Sequence, residues 1–282
     1  MKNLVRQWIM AIGVFFLFYS TLHAKVSDNY SLVWAEEFTA NGKLNPSHWT
    51  FEKGFVRNKE LQWYQKENAY CRNGVLILEA RKVQRKNPLY VKGNRQWRKK
   101  RAFIQFTSAS VTTKKHHSWK YGRFVIRAKI QTDKGLWPAI WFVGEKGKWP
   151  HRGEVDLMEY YRGTLLANAC WGSKQEGKPR WDRNKFPLSS LGDRDWDKKF
   201  HIWRMDWNEK EIKLYVDNKL LNSIDVEKAR NPKNKLPLYP FKQPFFLRLN
   251  LAVGSNGGNP NGTEFPAKME VDYIRIYQKL KK

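Results

Sequence analysis

The chain has 282 residues and carries 53 Lys plus Arg against 26 Asp plus Glu, a formal charge of +27. Two cysteines in so long a chain exclude a disulfide framework as the source of stability. So strong a basic excess makes a polyanion-binding role one class to weigh from the start.

Residues 1–24 begin with Lys2 and Arg6, continue through an apolar run from Ile9 to Tyr19 and end in Leu22-His23-Ala24. That order describes a secretory signal peptide, and its apolar part is too short for a membrane span of about 20 residues. No cysteine follows it, so a lipid anchor is not expected. The expected mature protein starts near Lys25 and is secreted, periplasmic or held at the cell surface. Losing Lys2 and Arg6 lowers the charge from +27 to about +25. Residues 25–282 contain no low-complexity linker and no internal repeat, so one domain, monomeric, is the expectation.

Strand signals then recur in order. Arg57, Asn58 and Glu60, with Trp63 and Tyr64, form a polar loop rich in potential sugar ligands, Asn58 above all. It is equally readable as an ordinary turn. Val75 to Ala80 follows the turn Asn73-Gly74 and reads as a strand. Arg95 to Arg101 is a dense basic run between strands. Arg123 to Ile130 alternates basic and apolar residues, the period of a strand with one solvated face. Trp137 and Trp141 flank Pro138. Glu211 to Val216 reaches Asp217-Asn218 and resumes at Leu220, a hairpin. Val226 to Arg230 holds the one suggestion of a helical turn, and Val271 to Tyr277 alternates again. Cys71 and Cys170 lie in apolar settings and read as two small buried residues rather than a bridge. The whole pattern is all-β.

The central stretch is Gly153-Glu154-Val155-Asp156-Leu157-Met158-Glu159-Tyr160. Carboxylates inside an apolar run are costly to bury, so they need a reason to be there. On a strand Glu154 and Asp156 share a face and Val155 takes the other. Strict alternation would turn Glu159 away, and one extra residue at Leu157-Met158, a β-bulge, would bring it back. A salt-bridged, solvated strand face is the competing reading. Two glutamates on one face suit glycoside hydrolysis, in which one carboxylate attacks or activates water and the other protonates the leaving oxygen. Asp156 between them would separate their proton affinities.

The chain resembles glycoside hydrolase family 16, and within it the laminarinase-type branch. Glu154, Asp156 and Glu159 fill the signature Glu-x-Asp-x-x-Glu. Asn58-Lys59-Glu60-Leu61-Gln62, Ser118 to Phe124, Gly135 to Trp141, Leu249 to Gly254 and Val271 to Arg275 match family blocks in order around it. The resemblance implies a jelly-roll sandwich of two curved antiparallel sheets with a glycan cleft on the concave face. It implies Glu154 as nucleophile, Glu159 as acid/base and Asp156 as assistant, in an endo-acting, retaining enzyme that needs no catalytic cofactor. Trp137 matches a sugar-stacking position, and Trp141 and Trp171 join it as candidate substrate-binding residues. Glu37, Gly74 and Asp272 match a structural calcium site found in many members.

Two departures bear on substrate. The strand Leu166 to Trp171 has Trp171 near where glucanases carry a histidine, and the turn Gly254 to Asn259 lacks their tryptophan. With the high charge, these favour a galactose-containing, often sulfated glycan of keratan, poly-lactosamine or mucin type. An endo-β-1,3(4)-glucanase is the alternative. A polyanion-binding module without catalysis is the remote one, and nucleic acid is not expected given the export signal and the carboxylate triad. His116, His117 and His151 show no metal spacing and read as loop or rim residues.

Overall fold

The computed structural model describes residues 30–175, 178–192 and 194–279, so the signal peptide expected at residues 1–24 lies outside the described residues. In chain order the strands are β1 (Tyr30–Glu36), β2 (Thr50–Phe51), β3 (Gln62–Tyr64), β4 (Ala69–Arg72), β5 (Val75–Lys86) and β6 (Phe103–Ser108). There follow β7 (Ser110–Thr112), β8 (Gly122–Ile130), β9 (Leu136–Gly144), β10 (Glu154–Tyr161), β11 (Thr164–Gly172) and β12 (Pro179–Pro187). The last are β13 (His201–Trp207), β14 (Glu211–Val216), β15 (Lys219–Asp225), β16 (Phe245–Val253) and β17 (Ala267–Lys279).

These strands make the jelly-roll sandwich expected. Ten form one sheet, ordered β15-β14-β13-β8-β17-β5-β6-β3, with β1 beside β17 and β4 beside β5. Seven form the other, ordered β12-β11-β10-β9-β16-β7-β2. The described pairings are antiparallel except β3 with β6, which is parallel.

Alternation explains how the sheets meet. Along β8, Phe124, Ile126, Ala128 and Ile130 point into the core. Arg123, Arg127 and Lys129 face outward and pair with Asp206, Asp272 and Glu270. The seven-stranded sheet buries one face the same way, through Leu247, Leu249 and Leu251 of β16 and Ala167, Ala169 and Trp171 of β11. Its other face is concave and carries the chemistry. A smaller cluster of Phe55, Trp63 and Ile104, with Trp97 against it, fills the space under the 87–102 loop. Cys71 and Cys170 are buried and free.

The single turn expected near Val226 to Arg230 is present, and it does not extend into a helix. The Asp225 carboxylate accepts the amides of Glu227 and Lys228 at 3.0 Å each, and Ala229 closes a single turn onto the Asp225 carbonyl. Such a side-chain cap satisfies the local amides without a helix, and Pro232 follows.

Candidate active site

The bulge that β10 needs is present. Its register against β11 shifts between Asp156 and Glu159, and against β9 between Asp156 and Met158. Leu157 and Met158 consequently both enter the core, and Glu159 returns to the concave face. Side chains across the sheet then fall into three rows. The first runs Trp181, Cys170, Glu154, Val143, Phe246. The second runs Arg183, Asn168, Asp156, Trp141, Arg248, Thr112. The third runs Lys185, Leu166, Glu159, Ala139, Asn250, Ser110. Each carboxylate occupies the middle of its own row.

Above these rows lies a cleft of about 560 Å³, within the roughly 300–1,000 Å³ usual for ligand sites. Glu154, Asp156 and Glu159 line it together, with Asn58, Trp137 and Trp141. The Trp137 indole N–H donates to Glu159 Oε1 at 3.0 Å, and Asn168 donates to Glu159 Oε2 at 3.1 Å. The Trp149 indole N–H donates to Glu154 Oε2 at 3.1 Å. Trp141 donates to Asn250 Oδ1 at 2.8 Å. The two Glu159 oxygens are held by side chains from β9 and β11, whereas Glu154 is held by Trp149 from the loop between β9 and β10.

Burial raises the proton affinity of all three carboxyls. The Glu154 carboxyl is pushed up to about 7, by burial first and then by the charge of Glu159, while Trp149, Arg57 and Arg248 oppose the rise. Asp156 goes well above its usual range through burial and the charges of Glu159 and Glu154. Glu159 is raised by burial, against hydrogen bonds from Trp137, Asn168 and Asp156. Asp156 and Glu159 act on one another, the contact raising Asp156 and lowering Glu159, so their proton affinities are pulled apart. Glu154 stands beside the arginines. The arrangement offers one anionic and one protonated carboxyl within a single cleft.

Arg57 and Arg248 flank the Trp141 ring, 5.2 and 4.7 Å from its centroid. Both pair with Glu52, Arg248 at 2.7 Å. Burial pushes Glu52 up, yet the two guanidiniums and the Ser110 hydroxyl hold it below its usual value. The Asn58 amide reaches Glu60 Oε1 at 3.3 Å, and Ser255 Oγ donates to the Asn58 carbonyl at 2.6 Å. The glycine-rich turn therefore packs on the Asn58 loop. Gly254 there sits at φ 79°, and a Cβ would lie 2.4 Å from Leu61 Cγ, so no larger residue fits.

Trp171 is corrected. It lies on β11, and alternation places Asn168 and Cys170 on the concave face and Trp171 in the core. Its ring is 6 % exposed and packs edge-on against Phe241 at 6.0 Å. Trp63 and Tyr64 are likewise buried, away from the cleft lining. Asn168, Arg183, Arg248, Asn250 and Tyr161, unremarked in the sequence, do line it. Arg248 and Asn250 had a signal: two polar residues at alternate positions of the apolar run Phe245 to Val253.

Glu37 and Asp272 do not fit a calcium ion as placed. Glu37 accepts two hydrogen bonds from Arg275 at 2.8 and 2.9 Å, and Asp272 pairs with Arg127 at 2.5 Å. A guanidinium already neutralises each carboxylate, and calcium would have to displace both. Gly74, at φ 76°, serves the β4–β5 turn. His117 packs among Trp34, His48 and Trp119.

The model of the family "Glycosyl hydrolases family 16" matches residues 56–275. A β-glucanase of Rhodothermus marinus is 32% identical over 270 residues, covering 89% of this chain and 86% of its own. A keratan-sulfate endo-1,4-β-galactosidase of Sphingobacterium multivorum is 26% identical, covering 89% of this chain and 56% of its own. A solved structure from work on endo-acting O-glycanases that initiate mucin breakdown by human gut microbiota superposes with a TM-score of 0.79. It is 31% identical and covers 90% of this chain and 92% of its own.

Proposed function

From its membership of glycosyl hydrolase family 16 as an endo-acting O-glycosyl hydrolase, we propose that the chain is an exported, retaining enzyme that cuts internal β-linkages of a galactose-containing, often sulfated glycan. In the first step Glu159 gives its proton to the glycosidic oxygen as the Glu154 carboxylate attacks the anomeric carbon. The carbon–oxygen bond to the leaving sugar breaks and a glycosyl ester forms on Glu154. Glu159, now ionised, takes a proton from water as the water oxygen attacks the same carbon, and Glu154 leaves as carboxylate. Trp137 and Asn168 hold Glu159 at the leaving oxygen, and Asp156 supplies its proton reservoir. No step requires a metal or cofactor, since both charges and protons come from the three carboxyls.

The observation that carries the substrate reading is the cleft wall. Arg57, Arg152, Arg183 and Arg248 all line it, and a neutral glucan offers such a wall no charge. The keratan-sulfate and O-glycanase relatives agree with it. An endo-β-1,3(4)-glucanase remains the second reading, supported by the 32% identity to a β-glucanase over most of both chains. Trp171, being in the core, no longer argues against it.

Product analysis decides. The protein is incubated with keratan sulfate, mucin O-glycans, laminarin and mixed-linkage glucan, and oligosaccharides are resolved by mass. Internal cuts in the first two are expected; cuts confined to the glucans would establish the second reading. Glu154→Gln should reduce turnover by several orders of magnitude, and near-normal turnover would remove Glu154 as nucleophile.

A further inference from the structure

The four cleft arginines are not equivalent. Arg57 and Arg248 are held by Glu52. Arg152 donates to the carbonyls of Gly144 and Glu145 at 2.6 Å each. Among the described residues Arg183 makes no salt bridge and donates no hydrogen bond, although its charge is felt at Glu159. Its guanidinium lies over the Trp181 ring at 4.6 Å, and stacking of this kind leaves the N–H edge of the fork open.

Its strand reinforces the point. β12 is the edge strand of the concave sheet, and Trp181, Arg183 and Lys185 alternate onto the concave side. They head the three rows that pass through Glu154, Asp156 and Glu159. Residues on the opposite side of β12 have partners of their own. Asn184 donates to the Leu221 carbonyl at 2.8 Å, and Asp182 accepts from Asn222 at 3.1 Å. The strand's one carboxylate is thereby turned away from its two cleft-side cations. An edge strand gains from charge as a guard against aggregation, but that need would be met by charge of either sign on either face. Here Arg183 and Lys185 share the glycan face with a tryptophan, while the third cation of the strand, Arg180, stands on the other face over the Trp171 ring at 5.7 Å.

We propose that the concave edge of β12 is an anion-receiving subsite. Arg183 takes an oxyanion substituent of the glycan, a sulfate ester or a carboxylate, in a two-pronged contact. Trp181 supplies the flat wall for the sugar ring that bears it, and Lys185 adds a second positive charge. The planar fork matches two oxygens of either group, and an ammonium does not. This rests on the cleft being an endo-glycan site, and not on which sugar it cuts.

The test is binding to the Glu154→Gln protein, which holds oligosaccharides without cutting them. Calorimetry compares keratan-type oligosaccharides with and without sulfate, a sialylated form as the carboxylate arm, and laminarin oligosaccharides with and without chemical sulfation. The anionic form of at least one backbone should bind about tenfold or more tightly than its neutral parent, the scale of one charge-assisted contact. Adding Arg183→Gln should remove most of that ratio, and Arg183→Lys should restore only part. A larger ratio for sulfate than for sialate identifies the sulfate ester as the natural substituent, and the reverse identifies the carboxylate. Equal affinity for anionic and neutral forms throughout overturns the proposal. So does a ratio that survives Arg183→Gln, which would trace to the diffuse positive charge of the molecule. The substrate reading fails separately, when only glucans are cut, and that outcome leaves these ratios to be judged as they stand.

Discussion

Glu154 sets the pH behaviour at the scale of single residues. It must be ionised to attack, and its carboxyl is pushed up to about 7, so kcat/KM should fall as pH drops through about 7. Arg248 opposes that rise. Arg248→Met should therefore move the acid limb to higher pH, and an unmoved limb would show that its charge is not felt at the nucleophile. The same shift affects stability. A free Glu titrates near 4.3, so the folded protein keeps a proton that the unfolded chain releases between there and about 7. The cost of an ionised Glu154 is absent below that window and complete above it. Glu154→Gln should thus raise the melting temperature at pH 8 and leave it unchanged at pH 4. A gain of equal size at both would point to packing instead. Trp171 answers to different physics. Its replacement by Ala should cost about 3–5 kcal/mol of stability, as for a large buried ring, with kcat/KM of the folded protein largely kept. Loss of activity without loss of stability would return it to the cleft.

At the scale of elements, the basic run between β5 and β6 turns out to be a brace. Arg98 donates to the carbonyls of Phe55 and Val56 at 2.7 and 2.5 Å. Arg101 donates to those of Glu60 and Lys59 at 2.5 and 2.8 Å. Between these anchors lie Arg57 and Asn58, which line the cleft, and Asn58 and Lys59 hold φ of 53° and 54°. Residues in that region are strained unless their surroundings impose it. Arg101→Met should therefore raise KM severalfold and lower kcat less, with Arg101→Lys recovering part of the loss. Unchanged KM would reduce the brace to a surface feature. The episode shows what the sequence made legible. Periodicity disclosed β8, the β14–β15 hairpin, β17 and even the β10 bulge, because each is written in neighbours a few positions apart. The partners of Arg98 and Arg101 lie about forty positions away, and Arg123, Arg127 and Glu37 likewise find theirs across the sheet. Such pairings depend on topology, which local pattern does not encode. Trp171 was misplaced for a simpler reason: alternation from Asn168 along its strand already assigned it inward, and only its resemblance in position to a cleft histidine put it at the sugar.

Charge is the property that belongs to the whole molecule. The sequence has 27 more basic than acidic groups, so even complete pairing of every carboxylate leaves an excess. On the ten-stranded sheet Asp206, Asp272 and Glu270 are taken up in ion pairs with Arg123, Arg127 and Lys129, and Glu37 beside it pairs with Arg275. Two opposed effects then compete when salt is added. Screening weakens those exposed pairs, each contributing about 0–1 kcal/mol, and it also weakens the mutual repulsion of the unpaired cations. The pairs are few and short-ranged, whereas the repulsion is summed over the surface. Repulsion should therefore dominate. From about 10 to 150 mM salt the screening distance shrinks from roughly 30 to 8 Å, and the melting temperature at pH 7 should rise across that interval. A short sulfated polyanion should produce the same rise at far lower concentration. Hydrolysis of a neutral glycan should not follow the change in salt, because no charge is lost or gained in its binding. A melting temperature that falls with salt would mean that the ion pairs outweigh the excess. The fold would then owe its stability to the matched charges of the outer sheet, with the surplus confined to loops too far apart to repel.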